Sequence, residues 1–512
     1  MSKQSGKVYL IGAGPGEPGL ITYRGLEVLA SVDAVCYDAL LDPTLIITLP
    51  SHIERYYVGK RSGKHSQSQG NIENLLIRLA REGKNIARLK AGDPMIFGRG
   101  GEELEALKDA GIPYEIVPGV TAATAVAAYA GIPLTHRDYA SWTTLFTAHE
   151  STEKENSDML FPYDRLASMG DGTLVGYMGI KRLAKVVEEL IEGGMSPETP
   201  SAIIERGATQ AQRIIGSPLI DLPQAAENAG VEPPGLIVIG KVVGLSEKLS
   251  WFESAPLSGK RVLVTRPASQ AGSMYELLRI NGASIVPAPS IRTESFVDNR
   301  AWDSFFEKKS EGGWIVFTSE NGVRYFVQQL FQHQHDWRTL GNFKIAAIGT
   351  GTAKAMREIG LKADFIPSKF TTDTLAGELA LIVEKDENVI RVRGNLGEPN
   401  VEESLEKSGA NVLPLQVYET IIAQLDDGIR AWVNEAPIDI ITFTSGSTAT
   451  SFIEQWGREE AIRIASKAVI ASIGPFTSDV VRSIGFEVTI EAETHSIEGI
   501  IDAILIWVKK NQ

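Results

Sequence analysis

VYLIGAGPGEPGL, residues 8–20, is an apolar strand that runs into a glycine-rich turn. In an α/β fold such a turn sits at the carboxyl end of a strand and faces a ligand crevice. The nearest familiar pattern is the dinucleotide fingerprint G-x-G-x-x-G. Asp38, ending the next apolar run DAVCYD (33–38), stands near where the acid of that fingerprint would lie. The pattern fails at its third glycine: counted from Gly12, position 17 is Glu17. A carboxylate there would repel a pyrophosphate seated on a helix N-terminus. Pro15 and Pro18 stiffen the turn, which suits a loop walling a cleft better than one that starts a helix at once. A nicotinamide oxidoreductase is therefore disfavoured.

Four more glycine-rich turns follow at predicted strand ends: RLKAGDPMIFGRGGEE (88–103), VPGVTAATA (117–125), VGYMGIKR (175–182) and IERGATQAQR (204–213). Each alone is ordinary turn chemistry. As an ordered set at the carboxyl ends of parallel strands they would line one crevice. A polar, proline-containing stretch then breaks the pattern, and residues 247–257 read as a linker.

The second part repeats itself. WIVFTSENGV (314–323) matches IITFTSGSTA (440–449), and AAIGTGTAKAMREIG (346–360) matches ASIGPFTSDVVRSIG (471–485). RVLVTRP (261–267) resembles VIRVRGN (389–395), and NGASIVPAPS (281–290) resembles SGANVLPLQV (408–417). The offsets are nearly equal, so the part is two similar α/β domains built from strand, turn and amphipathic helix. A ligand cleft between two such domains is expected.

The whole chain has 512 residues and 55.5 kDa, enough for several domains, with a formal net charge of −14. Neither half is a basic arm, which argues against nucleic-acid binding. Hydrophobic residues at 43% and charged residues at 22% are those of a packed soluble protein. The single cysteine, Cys36, excludes an internal disulfide framework and a Cys-rich metal site, and the seven histidines show no ligand spacing, so no metal is expected. No signal peptide is read in MSKQSGKVYLIGAG. The longest uncharged run, 116–135, carries Pro118, Gly119, Gly131 and Pro133, which fits a buried turn and helix rather than a membrane span. The expectation is a cytoplasmic protein without membrane partners.

The first part's motifs carry a family resemblance. GAGPGEPGLIT, YDALL, VGKRSGKH, RLKAGDPMIFGRGGEE, VPGVTAATA, GIPLTHRDYA, YMG and ERGATQAQR, in this order, resemble uroporphyrinogen-III C-methyltransferase of the tetrapyrrole methylase family. In the second part FTSENGV, IGTGT, VYET, FTSGS and IGPFT resemble uroporphyrinogen-III synthase, whose two-domain form agrees with the duplication. The resemblance implies a fusion: a methylase at 6–246, with α/β subdomains 6–118 and 119–246, and a synthase at 258–512. In the synthase, 258–292 would join 421–512 as one domain and 293–420 would form the other. It implies cyclisation of hydroxymethylbilane to uroporphyrinogen III with loss of water. Methylation twice by S-adenosylmethionine would then give precorrin-2, on the branch toward siroheme and cobalamin. The chain should stop there, since no further Rossmann domain for oxidation and no part for iron insertion is read. A homodimer through the methylase half is expected. The alternatives are a later precorrin methylase and a methylase whose second half only binds tetrapyrrole or regulates.

The resemblance also implies roles. Asp38 matches the proton acceptor and Lys60 the donor; on residue type alone they read as a turn cap and a solvated cation. Pro15, Gly92, Asp93, Ile96, Thr121, Ala122, Met178 and Gly207 match the cofactor site. Ala91 departs from the family, which has glycine before GDP. Arg24, Lys60, Arg61, Lys64, Arg99 and Arg137 are candidates for the substrate's carboxylates. His136 in THRD is equally a structural histidine. In the second half Tyr418 of VYET matches the group that assists departure of the hydroxyl, and reads equally as a packing residue. Thr318, Ser319, Thr444, Ser445 and Thr477 lie in turns suited to binding carboxylates or to capping helices.

Overall fold

The computed structural model describes residues 5–50, 52–59, 69–148, 162–252, 255–397 and 399–511. The chain is α/β, and its described strands form four five-stranded sheets. The first sheet has β1 (Val8–Gly12), β2 (Ala34–Tyr37), β3 (Glu54–Tyr57), β4 (Ile86–Lys90) and β5 (Tyr114–Val117). Their order is β3-β2-β4-β1-β5, all parallel. From β1 the chain crosses to one side, and from β4 it crosses over β1 to the other. This reversal opens a crevice at the carboxyl ends of β1 and β4. β2 and β4 are buried along their whole length, as covered parallel strands should be. Cys36 lies inside this layer, and burial pushes its thiol up to about 12.

The second sheet has β6 (Thr143–Thr147), β7 (Thr173–Tyr177), β8 (Pro200–Glu205), β9 (Arg213–Pro218) and β10 (Gly235–Ile239). Their order is β6-β7-β10-β8-β9, and only β6 and β7 run parallel. This corrects one expectation: IERGATQAQR is the hairpin between antiparallel β8 and β9, not a turn after a parallel strand. The segment between those strands is too short for a crossover, which needs about a dozen residues. Since β10 is antiparallel to both β7 and β8, the latter two point the same way. The hairpin therefore still lies at the same edge as the turn after β7.

The chain divides into two compact units, Met1–Pro289 with Gln424–Gln512, and Ser290–Ala423. Beyond the two sheets above, the first unit contains β11 (Arg261–Val264) and β12 (Ser284–Pro287). The second unit holds β13 (Ile291–Ser295), β14 (Gly313–Phe317), β15 (Phe343–Ala347), β16 (Asn388–Gly394) and β17 (Asn411–Ile422). The chain then returns to the first unit with β18 (Ile440–Phe443), β19 (Val469–Ser472) and β20 (Ile490–Glu491).

The sheet orders are β12-β11-β18-β19-β20 and β13-β17-β16-β14-β15. The sequence repeat maps one onto the other: β11 on β16, β12 on β17, β18 on β14 and β19 on β15. Matched strands follow the same order in the two sheets, and the unmatched strands β20 and β13 lie at opposite edges. The lobes do not follow the tandem order, however. The first copy's opening strands pair with the second copy's closing strands, β11 against β18, while the intervening segments make the other lobe.

The helices after the FTS strands start alike. Ser319 caps Glu320–Gln332 by accepting from Gly322 N, and Ser445 caps Gly446–Trp456 by accepting from Thr448 N. Among the described residues no helix is long and apolar enough to cross a membrane.

Candidate active sites

The crevice at the ends of β1 and β4 is closed by loops that approach within backbone contact. A Cβ at Gly12 would lie 2.5 Å from Gly119 Cα and 2.7 Å from the Gly92 carbonyl oxygen, so only glycine fits. Gly14 and Gly92 exchange backbone hydrogen bonds, at 3.2 and 3.0 Å. Asp93 ties the second loop to the third: one carboxylate oxygen accepts from Gly119 N at 2.9 Å and the other from Met95 N at 2.7 Å. The third loop reaches the second sheet. Tyr177, at the end of β7, accepts from Ala123 N at 2.7 Å, and its hydroxyl lies 2.7 Å from Thr121 Oγ1. Gly16 in turn abuts the carbonyl of Ala208, in the β8–β9 hairpin.

These contacts bring together most of the sequence-singled residues. Pro15 lies between Gly14 and Gly16, Gly92 and Asp93 face the third loop, and Thr121 and Ala122 start the helix Ala122–Tyr129. Gly207 packs on Val126 of that helix. Ile96, Phe97 and Met178 are apolar yet more than a third exposed, so they offer uncovered greasy walls here. Ala91 is half-buried and packs against the core. Seven non-glycine residues among those described have positive φ, and five of them, Phe97, Arg99, Met178, Arg206 and Ala208, lie in these loops. Such conformations cost roughly 1–3 kcal/mol each and gather where loop geometry is used. Tyr177 is the member that sequence reading missed. Its signal was its place in the YMG motif directly before Met178.

Asp38 follows β2, with its side chain 29% exposed. One oxygen accepts from Leu40 N at 3.3 Å and the other lies 3.6 Å from Arg88 Nη2. Arg88 and Lys90 are buried on β4, and both reach Glu103 Oε1, at 3.4 and 2.7 Å. Glu103 is fully buried, and Gln69 also donates to the same oxygen at 3.2 Å. Burial holds the Lys90 ammonium below its ordinary value, against the pull of Glu103. Lys60, with Arg61 and Lys64, lies outside the described residues. Arg24 is engaged by Glu115 and Arg99 by Glu102, whereas Arg137 is exposed. His136 accepts from Asp138 N at 3.1 Å and its ring lies beside Tyr139, which is a turn role.

In the second unit Tyr418, on β17, places its hydroxyl 3.1 Å from Ser319 Oγ and stacks on Tyr325 at 5.6 Å. Thr318 is half-buried beside Ser319 at the end of β14. Nearby, Glu402 Oε1 receives Arg391 at 2.7 Å and Arg393 at 2.8 Å. Arg391 is buried, while the Arg393 side chain is 20% exposed. In the first unit Thr444 and Ser445 follow β18, and Ser445 Oγ lies 2.9 Å from Ser447 Oγ. Thr477, in the first turn of the helix Pro475–Ser483, is 4% exposed, whereas its neighbour Phe476 is 78% exposed.

Two family models match the chain: Tetrapyrrole (Corrin/Porphyrin) Methylases over residues 7–223, and Uroporphyrinogen-III synthase HemD over 272–502. The porphyrin biosynthesis protein HemD of Ruminiclostridium josui is 36% identical over 503 residues, covering 98% of each chain. The siroheme synthase of Pseudomonas entomophila (strain L48) is 46% identical over 253 residues, covering 49% of this chain and 54% of that protein. The chain thus spans about half the length of that relative. The solved uroporphyrin-III-C-methyltransferase of Thermus thermophilus is 38% identical with a TM-score of 0.40, covering 48% of this chain and 98% of its own. With one relative matched from end to end and a methylase and a synthase model side by side, the chain belongs to the porphyrin-biosynthesis family in which a tetrapyrrole methylase is fused to a uroporphyrinogen-III synthase.

Proposed function

We propose that the chain cyclises hydroxymethylbilane to uroporphyrinogen III and then methylates it twice with S-adenosylmethionine to precorrin-2. The observation that carries this reading is the convergence of four glycine-rich loops on the crevice beside Asp38. Residues Pro15, Gly92, Asp93, Ile96, Thr121, Ala122, Met178 and Gly207 are proposed to hold the cofactor. They fit it: exposed Ile96 and Met178 give apolar cover, glycines admit close backbone approach, and Asp93 retains lone pairs for a hydroxyl. When bound, S-adenosylmethionine supplies an activated sulfonium methyl for attack by an electron-rich pyrrole carbon.

The chain's own residues then have two tasks. The loops align the reactants, which can lower a barrier by about 7–11 kcal/mol in favourable cases. Asp38 is proposed to take the ring proton as conjugation rearranges, with Lys60 as the proposed donor. Arg88, 3.6 Å away, restricts the Asp38 carboxylate.

In the synthase, Tyr418 is proposed to assist departure of the hydroxyl, held by Ser319 and the Tyr325 ring. Thr318, Ser319, Thr444, Ser445 and Thr477 are proposed to receive substrate carboxylates, with their turn amides. Arg393 adds a partly exposed cation in the second unit. We place the protein in the cytoplasm as a homodimer through its methylase half. The proposed domain limits are 6–246 for the methylase and 258–512 for the synthase.

The test gives the protein hydroxymethylbilane with and without S-adenosylmethionine. Uroporphyrinogen III is expected without the cofactor and a dimethylated product with it. Only the isomer from spontaneous closure would make the second half regulatory. Supplied uroporphyrinogen III left unmethylated would overturn the methylase reading. Tyr418→Phe keeps the ring stack but loses the hydroxyl. It should slow hydroxymethylbilane consumption by about 10²-fold and leave methylation of supplied uroporphyrinogen III unchanged.

A further inference from the structure

Tyr37 immediately precedes Asp38, yet its hydroxyl is spent on a residue 389 positions away. It donates to Asp426 Oδ1 at 3.2 Å. Asp426 caps the helix Asp427–Glu435 by accepting from Ile429 N at 2.9 Å, so the acceptor is itself fixed. The Tyr37 side chain is fully buried, 5.9 Å between ring centres from Trp432 on that helix. Gly428 lies in the helix's first turn. A Cβ there would land on the Tyr37 hydroxyl, and two ring carbons would be only 3.0 Å away. The close approach therefore exists only because residue 428 is glycine.

The other end of the loop is held in the same way. Asp42 caps the short helix Pro43–Ile47, accepting from Thr44 N at 2.8 Å. Arg279, on the helix Gly272–Ile280, donates to Thr44 Oγ1 at 3.4 Å and lies 3.9 Å from Glu17 of the first glycine-rich loop. The helix Pro43–Ile47 also packs on β12, and Ile46 is buried in a core cluster that includes Leu263, Val286 and Trp432. Residues 38–42 are thus a loop whose two ends are fastened by synthase residues of the same compact unit.

We propose that the first synthase lobe completes the methylase site, with Asp426 and Gly428 acting through Tyr37 as positioning residues for Asp38. This rests on the reading of Asp38 as the proton acceptor. A base must be held to within a fraction of an ångström, and a displacement of about 1 Å can cost on the order of 10²-fold in rate. The lobe supplies that restraint by accepting the Tyr37 hydroxyl at Asp426 and by setting the Trp432 ring against the Tyr37 ring.

The experiment uses the full chain and supplies uroporphyrinogen III and S-adenosylmethionine directly. Gly428→Ala should lower the kcat of methyl transfer about ten-fold with the KM for S-adenosylmethionine unchanged. Hydroxymethylbilane consumption by the same variant should stay within about two-fold, showing that the lobe is folded. Tyr37→Phe alone removes only the hydroxyl and should cost about three-fold in kcat. Adding Tyr37→Phe to Gly428→Ala should raise kcat part of the way toward that of Tyr37→Phe alone, because the clashing oxygen is gone while two ring carbons stay 3.0 Å from the new Cβ. An unchanged kcat in Gly428→Ala, parallel loss of both activities, or no recovery in the double variant would overturn the proposal. Wild-type protein that does not methylate would instead overturn the methylase reading, so the two failures are separable.

Discussion

Asp38→Asn is expected to reduce methyl transfer to uroporphyrinogen III by about 10²–10⁴-fold, the usual worth of a positioned general base. The amide keeps the side-chain volume and an oxygen that can accept from Leu40 N, at present 3.3 Å away. It cannot hold the proton, and it gives up the charge that faces Arg88 at 3.6 Å. The loop should therefore persist while the chemistry stops. Binding of S-adenosylmethionine, measured by calorimetry, should change by less than about two-fold, since the proposed cofactor contacts come from other loops. Hydroxymethylbilane consumption should be unaffected and serves as the internal control. Asp38→Asn retaining more than a tenth of the wild-type rate would remove this residue from the chemistry.

The pieces of this molecule that sequence made legible are those whose signals are local. An apolar run, a glycine-rich turn and a capping serine predict strand, loop and helix start, and Phe317–Ser319 and Phe443–Ser445 end their strands alike in the two lobes. The repeat offset also made the duplicated architecture readable. The offset is silent, however, on which copy of one segment pairs with which copy of the next. β11 lies beside β18 because of sheet contacts between residues some 180 positions apart. The antiparallel β8–β9 hairpin was misread because a glycine turn has the same local chemistry after either kind of strand; only the loop's length tells them apart.

In the site, the loop residues could be singled out, but the groups behind them could not. Tyr37 finds Asp426 across 389 positions, and nothing near either one announces it. Arg88 with Lys90, and Arg391 with Arg393, carried a signal that went unread. Each pair stands two apart, on one face of a mostly apolar and mostly buried strand, with an acid in the next helix: Glu103 and Glu402. Two cations on the same face of a covered strand require a buried carboxylate somewhere.

That requirement makes Glu103→Ala the most damaging single change expected in the methylase half. One oxygen of Glu103 receives Lys90 at 2.7 Å, Gln69 at 3.2 Å and Arg88 at 3.4 Å, all in an interior where the Arg88 and Lys90 side chains are 4% and 7% exposed. Deleting the carboxylate leaves two cations without their anion in low dielectric, a change that costs roughly 3–5 kcal/mol when a buried pair loses one partner. The lysine can relieve part of this by giving up its proton, and its ammonium is already held below its ordinary value by burial. The guanidinium has no such escape. Among the described residues its remaining carboxylate partner is Asp38, and drawing Arg88 toward Asp38 would pull the proposed base from its place. Thermal inactivation should therefore separate the two activities: methyl transfer by Glu103→Ala should be lost at temperatures where hydroxymethylbilane consumption persists. Adding Lys90→Met removes one of the stranded charges with an apolar chain of similar length, and should recover part of the lost thermal resistance. Equal inactivation temperatures for Glu103→Ala and wild type would show that the cluster's charges are balanced elsewhere. Full recovery of kcat in the double variant would show that Arg88 alone does not disturb Asp38.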